Sequence, residues 1–189
     1  RYPPRNMETI SFDLGGTRMS VGGRSTILPN GNFGPIYESE SFTEDIWISG
    51  LPRLHIDVST ATVGGQIYAL LEDCSEDGSC IHIGHAIMDL RYHEGGNQEQ
   101  TWLPIFDTIN AKMEFFAMDV QIKAGHIIRL SLASTGEDYL PASTSSIIEV
   151  SEGSSSNLLI DIINPENKLL FNPPACMHQS CLDWLNQTN

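Results

Sequence analysis

Basic residues are scarce in this sequence. Ten lysines and arginines stand against 24 aspartates and glutamates, a formal net charge of −14 over 189 residues. The ten are scattered, which excludes nucleic acid and anionic lipid as partners, because both require grouped cations. Long apolar runs are missing too. None approaches the roughly 18 residues that cross a bilayer, so no membrane span is expected. Catalytic and cofactor signatures are also missing. There is no G-x-S-x-G elbow, no G-x-G-x-x-G and no phosphate-binding loop. The serines lie mostly in loops, without the sharp turn that would expose one hydroxyl. No catalytic residue and no cofactor is therefore assigned. No signal peptide is visible, and the first residue is Arg1, which reads as a processed chain or an excised domain. Aromatic residues make up 8%, a short supply for a sugar-stacking surface.

What is present is a globular composition, 40% hydrophobic and 18% charged. The apolar period is close to two along most of the chain, and turn residues recur every eight to twelve positions. Leu54, Ile56 and Val58 alternate with His55, Asp57 and Ser59. Leu130 and Leu132 alternate with Arg129 and Ser131. Strands are read in DIWISG, PRLHIDVST, GGQIYALLED, CIHIGHAIMDLRYHE, NAKMEFFAMDVQI, HIIRLSLAST, SSIIEVSE and SNLLIDII. The expectation is an all-β jelly-roll sandwich of two antiparallel sheets with eight or nine strands. Residues 1–35 read as an extended, turn-rich arm with short strands, 36–170 as the sandwich, and 171–189 as a tail with a short helix. SEGSSS reads as a hairpin loop.

The four cysteines form two close pairs, Cys74 with Cys80 and Cys176 with Cys181. The first pair brackets SEDGS, so a hairpin there brings both sulfurs across its neck. Two local pairs read as disulfides of an oxidising, extracellular or cell-surface setting, with four reduced thiols as the alternative. A zinc site would need Cys74, Cys80, His82 and His85 to converge. In a regular strand His82 and His85, three apart, point to opposite faces, so no metal is assigned. Asp73, Ser75 and Asp77 have the opening spacing of a calcium loop, but Gly84 stands where the closing glutamate belongs. An acidic hairpin tip is the preferred reading. Asp89, Arg91, His93 and Glu94 read as an outward strand face with paired charges, a functional site being the alternative. Glu137, Asp138 and Tyr139 lie in a loop that could line a ligand groove or an interface. Trp47, Trp102 and Trp184 are expected in the core, and Asn186-Gln187-Thr188 fits a glycosylation acceptor. His126, after Gly125 and before an alternating run, is either catalytic or simply the start of a strand.

Four stretches in order carry a resemblance: Ser41–Pro52 with its ISGLP end, Leu71–Cys74, Gly84–Arg91 and Ala124–Leu130. Across residues 35–162 the chain resembles the carboxy-terminal domain of the X-Pro dipeptidyl-peptidase and cocaine-esterase (CocE/NonD) serine hydrolases. Ile127 departs from the arginine usual there. The resemblance implies a jelly roll that packs on an α/β-hydrolase domain, shapes the active-site entrance and adds oligomer contacts. It implies that the catalytic triad lies in that other domain, so His126 is structural and this chain alone is not a catalyst. The expected partner is a hydrolase domain, which the same precursor could supply, or identical subunits. The alternatives are a structural subunit of an extracellular assembly, joined by strand addition through residues 1–35, and a carbohydrate-binding module.

Overall fold

Alternation of side chains sets the layers. Along Arg53–Thr60, the side chains of Leu54, Ile56 and Val58 are fully buried, while Arg53, His55, Asp57 and Ser59 keep contact with solvent. Each such aliphatic side chain contributes about 2 kcal/mol by leaving water. A strand with one apolar face needs a second layer to cover it. The computed structural model describes residues 7–15, 23–94, 100–136 and 138–163, and within them supplies that layer.

The strands are β1 (Met7–Leu14), β2 (Arg24–Ile27), β3 (Ile36–Glu38), β4 (Ile46–Gly50), β5 (Arg53–Thr60), β6 (Gln66–Cys74), β7 (Cys80–Asp89), β8 (Ile109–Glu114), β9 (Met118–Ile122), β10 (Ile127–Ala133), β11 (Ile148–Ser151) and β12 (Gly153–Ile163). The larger sheet runs β2-β11-β5-β12-β4-β9, with β1 added on β12 and β8 on β5. The smaller runs β3-β10-β6-β7. All the pairings are antiparallel. Ile56, Met113 and Ile160 from one layer meet Ile67, Leu71 and Leu130 from the other in a continuous core.

The jelly-roll sandwich expected from the sequence is the observed architecture, with differences of detail. Twelve strands appear among the described residues, not eight or nine. Three of the extra strands come from residues 1–38, and NAKMEFFAMDVQI divides into β8 and β9 around Phe115–Ala117. The segment expected as an arm supplies β1 and β2, which pair inside the domain with β12 and β11. β1 is therefore part of this sheet, paired along one edge with β12. SEGSSS is not a hairpin loop. β11 and β12 follow one another along the same side of β5, and the register jumps across residues 152–156 between them. The Ser156 hydroxyl accepts from the Asp57 N–H at 3.0 Å, which repairs the interrupted ladder. Trp47 is half-buried and donates its indole N–H to Asp119, and Trp102 is exposed, so neither belongs to the core. The Cys176/Cys181 pair, the tail helix, Trp184 and the Asn186 acceptor lie outside the described residues.

Candidate functional site

The β6–β7 ladder contains an irregularity that places the site. Leu71 faces Gly84 and the next residue, Glu72, faces His82, so Ile83 is an extra residue without a partner. Such a bulge shifts side-chain parity by one. Ile83 and Gly84 both turn toward the core, where Ile83 packs on the apolar cluster and Gly84 lies over Met118 and Phe115. His82 and His85 therefore share the outer face. This corrects the expectation that they point to opposite faces, which holds only for a regular strand. Their rings are 5.3 Å apart, with His82 Nε2 3.3 Å from His85 Nδ1.

Aromatic side chains from three other segments gather around His85. Tyr139 Oη lies 2.7 Å from its Nε2. The rings of Phe116, Tyr139 and Tyr68 sit 5.4, 5.6 and 5.8 Å from the imidazole, and Phe33 extends the group from Tyr68. Phe116, on the β8–β9 connection, is 68% exposed and Leu140 89%. Burial lowers the His85 pKa, as does the neighbouring His82, and the opposing influence of Asp138 does not offset them. The shift favours the neutral imidazole.

The loop that carries Tyr139 is fastened to the sheet. The Tyr139 N–H bonds the Gly136 carbonyl at 3.1 Å, Thr135 Oγ1 donates to the Tyr139 carbonyl at 3.0 Å, and Gln66 Nε2 donates to the Leu140 carbonyl at 3.4 Å. Gly136 lies flat on Tyr68. A Cβ there would meet the phenol ring at 2.6, 2.7 and 2.9 Å, and a rigid ring cannot yield as a flexible chain end can. Gly136→Ala is accordingly expected to cost about 1–3 kcal/mol and to lift Tyr139 from His85. Thermal denaturation and the ring-nitrogen NMR shift of His85 measure both effects. Of the three loop residues singled out from the sequence, Tyr139 joins this cluster, Asp138 is exposed beside it, and Glu137 lies outside the described residues.

The other sequence candidates are engaged elsewhere. His126 Nδ1 lies 2.7 Å from Asp73 Oδ1, across the end of the β10–β6 pair, and among the described residues no hydroxyl bonds its ring. It is a strand-initiating residue tied to its neighbour. Cys74 and Cys80 are disulfide-bonded, so Glu72, Cys74 and Cys80, though close together, offer no free thiolate. The calcium candidates do not act as one set. Asp73 is held by His126, while Asp77 accepts from the hydroxyls of Ser75 and Ser79 and the N–H of Ser79. Those bonds hold the Asp77 carboxyl well below the usual range and close the hairpin tip on itself. The Asp89 region departs from the expected outward strand face. β7 ends at Asp89, a 3₁₀ turn follows at Leu90–Tyr92, and Arg91 is buried against Asp89 with Trp102 over its guanidinium. His93 Nδ1 lies against the Leu90 carbonyl and Glu94 is exposed.

The profile of the X-Pro dipeptidyl-peptidase C-terminal non-catalytic domain matches residues 14–162. The chain belongs to that family. Solved structures agree on the fold of this non-catalytic domain. A CocE/NonD family hydrolase from Staphylococcus aureus superposes with a TM-score of 0.74 at 12% identity, over 86% of this chain and 38% of that one. An aminopeptidase from a marine sediment archaeon, Thaumarchaeota archaeon, gives 0.70 at 12% identity, over 87% and 38%. An alpha-amino acid ester hydrolase gives 0.65 at 13% identity, over 77% and 33%. The chain thus spans 33–38% of the length of these proteins, and at such identities the likeness is one of fold. Among curated proteins none matches. The match to the X-Pro dipeptidyl-peptidase C-terminal family spans the four ordered sequence stretches and the cluster around His85 alike.

Proposed function

We propose that this domain packs on an α/β-hydrolase domain of a peptidase or esterase, and that the outer face of the smaller sheet, with loop 134–141, borders the entrance to that domain's active site. The observation that carries the reading is the exposed aromatic rim around His85. Phe33, Phe116 and Leu140 are large apolar side chains left in water beside one another's segments, and such patches mark interaction surfaces. Membership of a non-catalytic domain family, and hydrolase neighbours about three times the length of the matched region, support a partner domain that does the chemistry. The Cys74–Cys80 disulfide supports an extracellular or cell-surface setting.

Activity-based labelling tests it. With a fluorophosphonate probe, the native polypeptide that carries this domain, or one bound to it in equal amount, is expected to label, while the 189-residue chain alone stays unlabelled. An unlabelled native form would overturn the reading. In the labelled form, Phe116→Glu is expected to raise KM for bulky substrates several-fold with little change in kcat.

A further inference from the structure

We propose that His82 and His85 form an open, two-imidazole binding site for a divalent transition metal of the zinc class on the outer face of the smaller sheet. The inference stands on this chain's residues and does not require the hydrolase partner.

The bite of the pair is the first argument. With nitrogens 3.3 Å apart and zinc–nitrogen bonds of about 2.05 Å, the N–Zn–N angle is about 107°, close to the tetrahedral value. A square-planar ion would need the two nitrogens nearer, at about 2.9 Å. In the structure one ring donates to the other, so binding requires the exposed His82 ring to turn until its Nε2 lone pair faces the ion beside that of His85 Nδ1.

The surroundings supply the second argument. A ligating histidine characteristically gives its other ring N–H to an oxygen acceptor, which fixes the tautomer and the ring plane. Tyr139 Oη stands in that place, 2.7 Å from His85 Nε2, and frees Nδ1 for the metal. The charge of Asp138 reaches His85 and favours a cation. Glu72, across from His82, has Arg129 across from it on its other side. The edge of Phe116 and the ring of Tyr139 keep the imidazole of His85 in place. Without metal the two rings share a proton in a single N–H···N hydrogen bond. Zinc displaces it from the space between them, and the proton moves to the far nitrogen of His82. Two protein ligands leave the remaining positions to water, so binding is exchangeable rather than structural.

The test uses the full 189-residue chain, stripped with chelator and titrated with zinc chloride. The histidine ring nitrogens are followed by ¹⁵N NMR, with a chromophoric chelator as competitor for affinity. One equivalent is expected to move His82 Nε2 and His85 Nδ1 and to leave the rings of His55, His93 and His126 in place. His82→Asn and His85→Asn should each abolish that response, with unchanged circular dichroism as the control for folding. Tyr139→Phe should weaken binding about tenfold while leaving stoichiometry at one. The proposal is overturned if the ring signals of the two histidines stay fixed in excess zinc. It is equally overturned if the double variant His82→Asn/His85→Asn binds as tightly as the original chain.

Discussion

Asp89→Ala is expected to lower the stability of the domain by about 3 kcal/mol, among the largest effects of any single polar change. Arg91 is the reason. Its side chain is only 10% exposed, and Asp89 meets it through Nε, Nη2 and the backbone N–H. Removing the carboxylate leaves a guanidinium buried beneath Trp102 with Ser143 and Gln100 as weak substitutes at 3.3 and 3.5 Å. Replacing both charges is expected to behave differently. Asp89→Leu with Arg91→Met should recover most of the loss, because a buried pair is costly to break but not costly to replace. Urea unfolding of Asp89→Leu, Arg91→Met and the double variant, closed as a cycle, measures the coupling. The pair also has a pH signature. Burial acts to raise the Asp89 pKa, but the hydrogen bonds and charge of Arg91 prevail and hold it below the ordinary 3.8. Its contribution is therefore complete above about pH 4 and is lost as pH falls through the still lower folded value. Asp89→Ala should accordingly flatten the acid limb of the stability curve below pH 4.

The legible and illegible parts of this fold divide along physical lines. Period-two alternation in PRLHIDVST reports one-sided burial directly, and Leu54, Ile56 and Val58 lie where it puts them. The Cys74–Cys80 bond was legible because the hairpin tip is local. Burial of Arg91 was not. Its cover comes from Ser143, 52 positions away, and from Trp102, and no local pattern announces such neighbours. The shared face of His82 and His85 was missed for another reason. Parity counting assumes an unbroken strand, and one inserted residue inverts it for everything beyond. A signal did exist: Gly84 sits inside an otherwise apolar strand, and an isolated strand glycine marks a bulge or a close backbone approach. β1 was missed as part of the sandwich because its exposed face is polar and glycines follow it, so METISFDL reads as an arm unless its partner β12 is known.

Phe115→Ala and Phe116→Ala, one position apart, should separate stability from surface function. Phe115 is 1% exposed and packs beneath Gly84 on the core side of the bulge, beside Met118. Phe116 is 68% exposed and sets its edge against His85 on the outer side. The β8–β9 connection thus grips β7 from both faces at the residue where its register shifts. Truncating Phe115 leaves a cavity under the bulge and is expected to cost about 3–5 kcal/mol, a large share of the 5–15 kcal/mol available to a typical domain. Phe115→Leu, which fills most of that volume, should cost less than half as much. Truncating Phe116 should change stability by less than about 1 kcal/mol, yet alter the His85 ring environment and whatever docks on the aromatic rim. Denaturant midpoints and the His85 ring-nitrogen shifts, read on the same samples, distinguish the two. If Phe116→Ala proved as destabilising as Phe115→Ala, the outer rings would be part of the core rather than a presented surface, and the docking face assigned to them would have to be sought elsewhere on the sandwich.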